Sequence, residues 1–340
     1  MTIHVDAEAG RFGAGLSATS HSKSESVLVT GATGFVGAAV VRDLLAAGHR
    51  VAGLVRSPQR ARLLPEGVRP VIGDMLRPET YRAAAAASEA VVHTAQLRVH
   101  GRVTKGKLAR LAAANDAMTG ELARVCVDTG RRLVYTSGCF GYGDRGADWI
   151  TEDTPLDPTP LGAEHARQVA RLRDIRAAEG LDAVILHLGF VYGPGGTFKS
   201  VFYDQARRGL LRCIGDGANY WSLIHVDDAA AAYVAAVERA PAGAEYNVVD
   251  DDPLTLRAFV DEVTTALGKG RPGNVPRTLA SLAVGPPAVA SLTSSYRVSN
   301  SRIRTQLGWR PRYPRVSHGL PAVVTELRRP AARQENVKAA

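Results

Sequence analysis

The segment Thr30-Gly31-Ala32-Thr33-Gly34-Phe35-Val36-Gly37 places glycines three residues apart, in the pattern GxxGxxG. Each glycine has a separate physical task. Gly31 allows a tight turn, Gly34 lets backbone N–H groups approach a pyrophosphate, and Gly37 lets a helix pack closely on what precedes it. The N-terminus of that helix favours negative charge. This is dinucleotide chemistry, and it assigns Gly31, Thr33, Gly34, Phe35, Val36 and Gly37 to a cofactor site. Farther on, Val55-Arg56-Ser57-Pro58-Gln59-Arg60 puts a guanidinium where an acidic residue would accept hydrogen bonds from the ribose hydroxyls of NAD. Arg56 can instead pair with a 2′-phosphate, helped by Ser57 and Arg60, so NADP is expected over NAD.

Such a turn works only between a strand and a helix, and the surrounding sequence supplies both. The apolar run Val27–Thr30 precedes the glycines, and the amphipathic stretch from Phe35 to Ala47 follows them. The alternation continues through strands at 51–55, 68–72, 90–93, 132–136 and 183–188, with helical patterns at 79–87, 107–129 and 163–179 between them. Strands and helices alternating at this spacing predict an α/β fold, a doubly wound parallel sheet of Rossmann type. The expected organisation is a dinucleotide-binding domain over 26–190, rejoined by 222–250, and a smaller substrate-binding subdomain from 191–221 and 251–328.

Composition narrows the function classes. The chain has 340 residues, 45% of them hydrophobic, and a formal charge of +9 carried by 42 Lys and Arg against 33 Asp and Glu. The arginines are scattered, and runs such as Arg207-Arg208 are too short for a nucleic-acid-binding face. Cys126, Cys139 and Cys213 have neither disulfide arithmetic nor metal-ligand spacing, so no metal is expected and a reducing cytoplasm fits. Residues 1–25 read as a flexible extension without a secretory core, and 329–340 as a flexible tail. The apolar stretch 279–292 is broken by Gly285-Pro286-Pro287 and is too short to span a bilayer.

Motifs beyond the glycine turn extend the reading. Gly73-Asp74-Met75, Val92-His93-Thr94-Ala95, Asn115 and Tyr142-Gly143-Asp144 follow one another along the chain. Val191-Tyr192-Gly193-Pro194-Gly195, His225-Val226-Asp227-Asp228-Ala229, Tyr246-Asn247-Val248 and Leu307-Gly308-Trp309-Arg310-Pro311 come after them. With these, the sequence resembles the extended short-chain dehydrogenase/reductase superfamily of the NAD-dependent epimerase/dehydratase type, over nearly everything after residue 26. The resemblance implies that Asp74 and Met75 hold the adenine, that Thr94, Ala95 and Leu188 border the cofactor, and that Asn115 is the family's helix asparagine.

The same resemblance exposes a departure. The family's Tyr-x-x-x-Lys pair, set in register by Pro160, falls on Leu161 and His165, and its serine falls on Gly138, beside Ser137. The family's tyrosine moves a proton at the substrate oxygen while its lysine lowers the tyrosine pKa. Leucine can do neither. Tyr142 is the first candidate replacement, followed by His165, whose imidazole titrates near neutrality, with Ser137 and Asn115 completing the set. His165 could equally fill the vacated lysine space or bind a ribose hydroxyl. His187 and His93 are read as buried structural histidines.

Trp221 stands where sugar-nucleotide enzymes of the family place an arginine for a diphosphate. A tryptophan offers a flat apolar surface and one N–H donor instead. Gln96, Cys139, Phe140, Phe190, Tyr192, Tyr220 and Trp221 are therefore expected to meet a small apolar or aromatic substrate, with core packing the stronger reading for Phe190. The leading function is an NADP-dependent oxidoreductase or epimerase. A non-redox cyclase, isomerase or lyase, or a non-catalytic NADP sensor, would use the same scaffold. A homodimer through the helices at 107–129 and 163–179 is expected, although the repeated positive charge of Arg167, Arg171, Arg173 and Arg176 weakens that expectation unless Glu121 and Asp128 answer it.

Overall fold

The computed structural model describes residues 24–97 and 102–329; the expected flexible extension and tail lie almost wholly outside them. Seven strands form one sheet: β1 (Ser26–Thr30), β2 (Arg50–Val55), β3 (Arg69–Ile72), β4 (Ala90–His93), β5 (Arg132–Gly138), β6 (Ala183–Leu188) and β7 (Glu245–Val248). The spatial order is β3-β2-β1-β4-β5-β6-β7, and every pairing is parallel. The order reverses between β1 and β4, which is where an open parallel sheet leaves a crevice at its carboxyl edge.

The central strands are apolar on both faces because both faces are covered. On one side pack α1 (Phe35–Ala46) and, later in the chain, α4 (Val226–Arg239), with Val40, Leu44 and Ala229 fully buried. The other side carries α2 (Lys105–Thr129) and α3 (Ala163–Glu179), whose Leu122, Val169 and Leu172 meet Leu133 and Ile185. Thr104 caps α2 by accepting from the Lys107 amide, and Gly130 ends that helix in the left-handed conformation at φ 62°.

The helical pattern expected at 79–87 is interrupted. A 3₁₀ turn occupies Pro78–Thr80 and an α-helix only Arg82–Ala86. The Thr80 hydroxyl bonds the Arg77 carbonyl and accepts from the Asp74 amide, tying the backbone into a turn.

Residues from 192 to 324 supply a separate cluster around Phe198, Phe202, Trp221, Phe259 and Leu320. It includes α5 (Leu256–Ala266), while α6 (Arg277–Val284) and α7 (Pro286–Leu292) lean on the segment that precedes α2. Val103 donates to the Val284 carbonyl, and Gly285, at φ +96°, lies so close to the Val103 carbonyl that a Cβ would overlap it. Among the described residues, no helix is long and apolar enough to cross a membrane.

Candidate functional site at the carboxyl edge of the sheet

The glycine turn is fixed by contact. Gly31 has φ +70° and its missing Cβ would lie 2.9 Å from the Ala95 amide; a Cβ on Gly37 would collide with the Gly31 carbonyl and the Thr94 hydroxyl. The Gly34 amide bonds the Gly31 carbonyl at 2.7 Å. Thr94 Oγ1 donates to the Thr30 carbonyl at 2.7 Å, and Thr30 Oγ1 pairs with His93 Nδ1 at 2.7 Å while accepting from the Ala95 amide. His93 is thus a structural lock, with burial pushing its pKa down to about 4.

At the start of α1, Gly34 provides no side-chain cap and the first turn has no acidic residue. The opening amides of a helix of 12 residues therefore remain uncommitted to side chains. This cradle fits a dinucleotide pyrophosphate.

Around it stand the other expected cofactor residues. Phe35 packs under the loop Gly193–Gly196, where a Cβ on Gly195 would lie 2.8 Å from its ring. Arg56 and Arg60 are exposed past the end of β2 and join no ion pair among the described residues, while Ser57 Oγ accepts from the Arg60 amide. Asp74 Oδ1 accepts from the Leu76 amide, and the Met75 carbonyl accepts from Tyr81. Leu188 ends β6 and is buried. Thr33 and Val36 are half-buried on the turn.

At the end of β5, the structure brings Gly138 and His165 together. A Cβ on Gly138 would lie 3.3 Å from His165 Nε2. Gly162, whose Cβ would overlap the Phe140 carbonyl, clamps the start of α3 onto this strand end, so His165 is held rather than draped. The imidazole thus stands beside the place where a residue 138 side chain would project. Its Nδ1 is buried without a hydrogen-bond partner, as are Ser137 Oγ and Asn115 Oδ1. Burial, aided by the nearby charge of His187, pushes the His165 pKa down to about 4. Leu161 is half-buried one turn earlier, its amide donating to Ser291 Oγ on α7.

Tyr142, the first candidate for proton transfer, is not delivered to this cleft. It is 1% exposed, and its hydroxyl donates to Asn247 Oδ1 at 2.7 Å on β7, at the far edge of the sheet. Burial also raises its pKa above the ordinary tyrosine value. The 3₁₀ turn Cys139–Tyr142 carries the ring back under the sheet edge, which a motif in the sequence cannot reveal.

The aromatic substrate set is corrected in the same way. Trp221 is 2% exposed, its indole N–H donates to the Leu292 carbonyl, and its ring lies 5.1 Å from Phe190 in the C-terminal core. Tyr192 is fully buried against His225. Cys139 is buried with its thiol directed to the His187 carbonyl. Phe140 meets Tyr296 edge-on, and Tyr220 flanks Arg297. Only Gln96, exposed and reaching the Thr136 carbonyl at 3.4 Å, stands open at the strand ends.

An apolar recess lies elsewhere. Val103, Pro160, Pro286, Pro287 and Ala290 line a cavity of 460 Å³ next to Leu161, with Arg102 and Lys105 at its rim. The sequence gives no sign of this surface because its walls come from three separate stretches: 102–105, 160 and 286–290. The exposed Leu279 and Leu282 of α6 extend the apolar character nearby.

The helix pair expected at a dimer interface is also balanced differently. Arg167 pairs with Asp116 and Glu164, Arg171 with Asp116, and Arg173 with Glu245, while Glu121 answers Arg82 and Arg124. Arg167, Arg171 and Arg173 are thus paired within the chain with Asp116, Glu164 and Glu245, while Arg176 donates to the Gly243 carbonyl.

Residues 27–249 match the NAD dependent epimerase/dehydratase family. The chain belongs to this family. A 3-diazoavenalumate denitrifying reductase from a Streptomyces species is 36% identical, over 86% of this chain and 98% of that one. A 2-alkyl-3-oxoalkanoate reductase from Stenotrophomonas maltophilia is 30% identical, over 72% of this chain and 76% of that one. Among solved structures, the dTDP-glucose 4,6-dehydratase DesIV of Streptomyces venezuelae, with NAD and TYD bound, superimposes with a TM-score of 0.75 at 26% identity, over 88% of this chain and 96% of that one. The family assignment and the doubly wound sheet agree with what the sequence motifs implied.

Proposed function

We propose that this family member is an NADP-preferring reductase that acts on a carbonyl-type group of a small, largely apolar substrate, with His165 managing the proton. One observation carries the reading: His165 is clamped against Gly138 at the end of β5, on the edge of the sheet that holds the glycine cradle. The nicotinamide, when bound, supplies the hydride. The chain must supply the proton, and His165 Nε2, held beside Gly138 at the strand end, is placed to carry it as an N–H. The apolar recess beside Leu161 supports the substrate class, and the reductase names of the relatives support the reaction class. NADP is favoured because Arg56 and Arg60 both stand free at the end of β2, where a 2′-phosphate would meet two guanidinium groups. Small aliphatic and aromatic ketones and aldehydes, incubated with NADPH and with NADH, test the proposal. NADPH oxidation by at least one apolar member is expected. Turnover by protein stripped of nucleotide would instead establish a non-redox catalyst.

A further inference from the structure

Behind His165 lies a second imidazole that the reductase reading does not use. His187 on β6 is the parallel partner of Ser137 on β5, and both side chains follow Ile185 and Tyr135 onto the face covered by α2 and α3. His187 is 1% exposed, and its Nε2 lies 3.0 Å from Glu245 Oε2. Glu245 is gripped in turn by Arg173 Nε and Nη2 at 2.6 and 2.8 Å. The remaining ring nitrogen, Nδ1, is buried without a partner, like His165 Nδ1 and Ser137 Oγ. Three orphaned polar atoms in one buried neighbourhood require an explanation, since native structures satisfy such groups.

We propose that His187, held by Glu245, is the proton reserve of His165. The inference rests on the reductase reading. Glu245 pins the Nε2–H of His187, so gain and loss of a proton are confined to Nδ1. In reduction the substrate oxygen takes the Nε2 proton of a neutral His165, and His165 Nδ1 is reprotonated from His187 Nδ1 through a water that Ser137 Oγ completes. The substrate carbonyl becomes a hydroxyl and His165 is left protonated on Nδ1. In the reset one solvent proton enters at His165 Nε2 while Nδ1 returns its proton through the same water to His187, so that one solvent proton is consumed per turnover and the His187–Glu245 pair is restored.

Two features favour this division of labour. Burial keeps His165 neutral, with a pKa near 4, so it cannot store a proton at neutral pH. His187 Nε2 is paired with a carboxylate, and that carboxylate stays ionised: burial works to raise the Glu245 pKa, but hydrogen bonds from His187 and Arg173 pull it down to about 2. Glu245 also lines a cavity of 390 Å³ at the outer edge of β7, together with Glu152, Arg173, Arg176 and Arg302. That cavity gives the pair its own access to solvent. The other groups facing His187 are Tyr142 at 5.3 Å between ring centroids, Cys139, Glu152 and His165.

Side-chain ¹⁵N spectra of the full chain, without nucleotide, test the pair directly. Neutral His187 should carry its proton on Nε2, and Glu245→Gln should lower its titration midpoint by at least one pH unit. A neutral His187 protonated on Nδ1, or an unchanged midpoint in Glu245→Gln, would overturn the proposal. For the ketone or aldehyde turned over with NADPH, Glu245→Gln should lower kcat at pH 8 at least tenfold, recover toward pH 6, and leave KM within about twofold of wild type. Glu245→Asp should restore much of the loss, and serves if the glutamine variant folds poorly. If His165→Ala is inactive while Glu245→Gln keeps the wild-type pH profile, the reserve is refuted and the reductase reading stands. If His165→Ala is fully active, the reading of His165 fails first.

Discussion

The glycine turn after β1 and the polar cluster at the end of β5 lie on the same edge of one sheet and follow opposite rules. In the turn, atoms meet atoms: Gly31, Gly37, Thr94 and Ala95 touch so closely that a methyl group has nowhere to go, and Thr30, His93 and Thr94 satisfy one another. In the cluster, Ser137, His187 and Asn115 are buried and His165 is half-buried, and each holds a buried polar atom without a partner. Close packing defines a place where something is held, and unsatisfied polar groups mark a place where something passes. Each unpaired group costs about 1–3 kcal/mol, a cost that folding alone gives no reason to retain.

The contrast can be broken at either region. The largest effect is expected in the turn, where Gly37→Val drives a branched side chain into the Gly31 carbonyl and Thr94. Binding of NADPH, followed by fluorescence, should be lost, with Kd raised more than about 100-fold and a stability cost of roughly 1–3 kcal/mol or more. Near-normal binding would mean that the cradle is not the pyrophosphate site. Arg56→Ala should weaken NADPH about tenfold while leaving NADH nearly unchanged, consistent with one charge-assisted contact. Equal weakening of both would remove the basis for NADP preference.

The cluster makes its own prediction about pH. His93 and His165 have folded pKa values near 4, below the ordinary 6.5, so the unfolded chain binds protons more readily between those values. These two histidines therefore contribute a loss of stability as pH is lowered from 6.5 to 4, opposed by Asp250, whose carboxyl pKa burial raises well above its ordinary value. Glu245, depressed from 4.5 to about 2, adds a second loss as pH falls through that lower range. Calorimetry should show Tm dropping by at least about 4 °C between pH 7 and 4.5; a flat profile would contradict the buried, neutral imidazoles. The smallest effect is expected at Tyr142→Phe, which removes one hydrogen bond to Asn247. Stability should fall by about 1 kcal/mol with kcat within about twofold of wild type; a tenfold loss of kcat would return Tyr142 to the catalytic set.

The sheet was legible because its signals are local. A strand such as β1, buried on both faces over residues 27–30, must be a largely apolar run, and a glycine turn must use glycine. His165 was legible only through the spacing of Leu161 and Pro160 in the family motif. Its contact with Gly138 depends on how Gly162 seats α3. Trp221 and Tyr142 misled because side-chain direction decides their roles, and both turn inward to carbonyl partners, Leu292 and Asn247. Glu245 carried no signal of its own: it begins an ordinary strand, and only its place two residues before Asn247, on the face shared with His187, gives it a partner.

The central claim is that His165 has taken over proton handling on a scaffold that still binds its nucleotide in the ordinary way. It is tested most directly by measuring kcat and the NADPH Kd of His165→Ala side by side, with the carbonyl compound that the wild-type protein reduces. The account predicts kcat lowered at least about 100-fold with Kd unchanged within about twofold. Equal kcat in both proteins would contradict it.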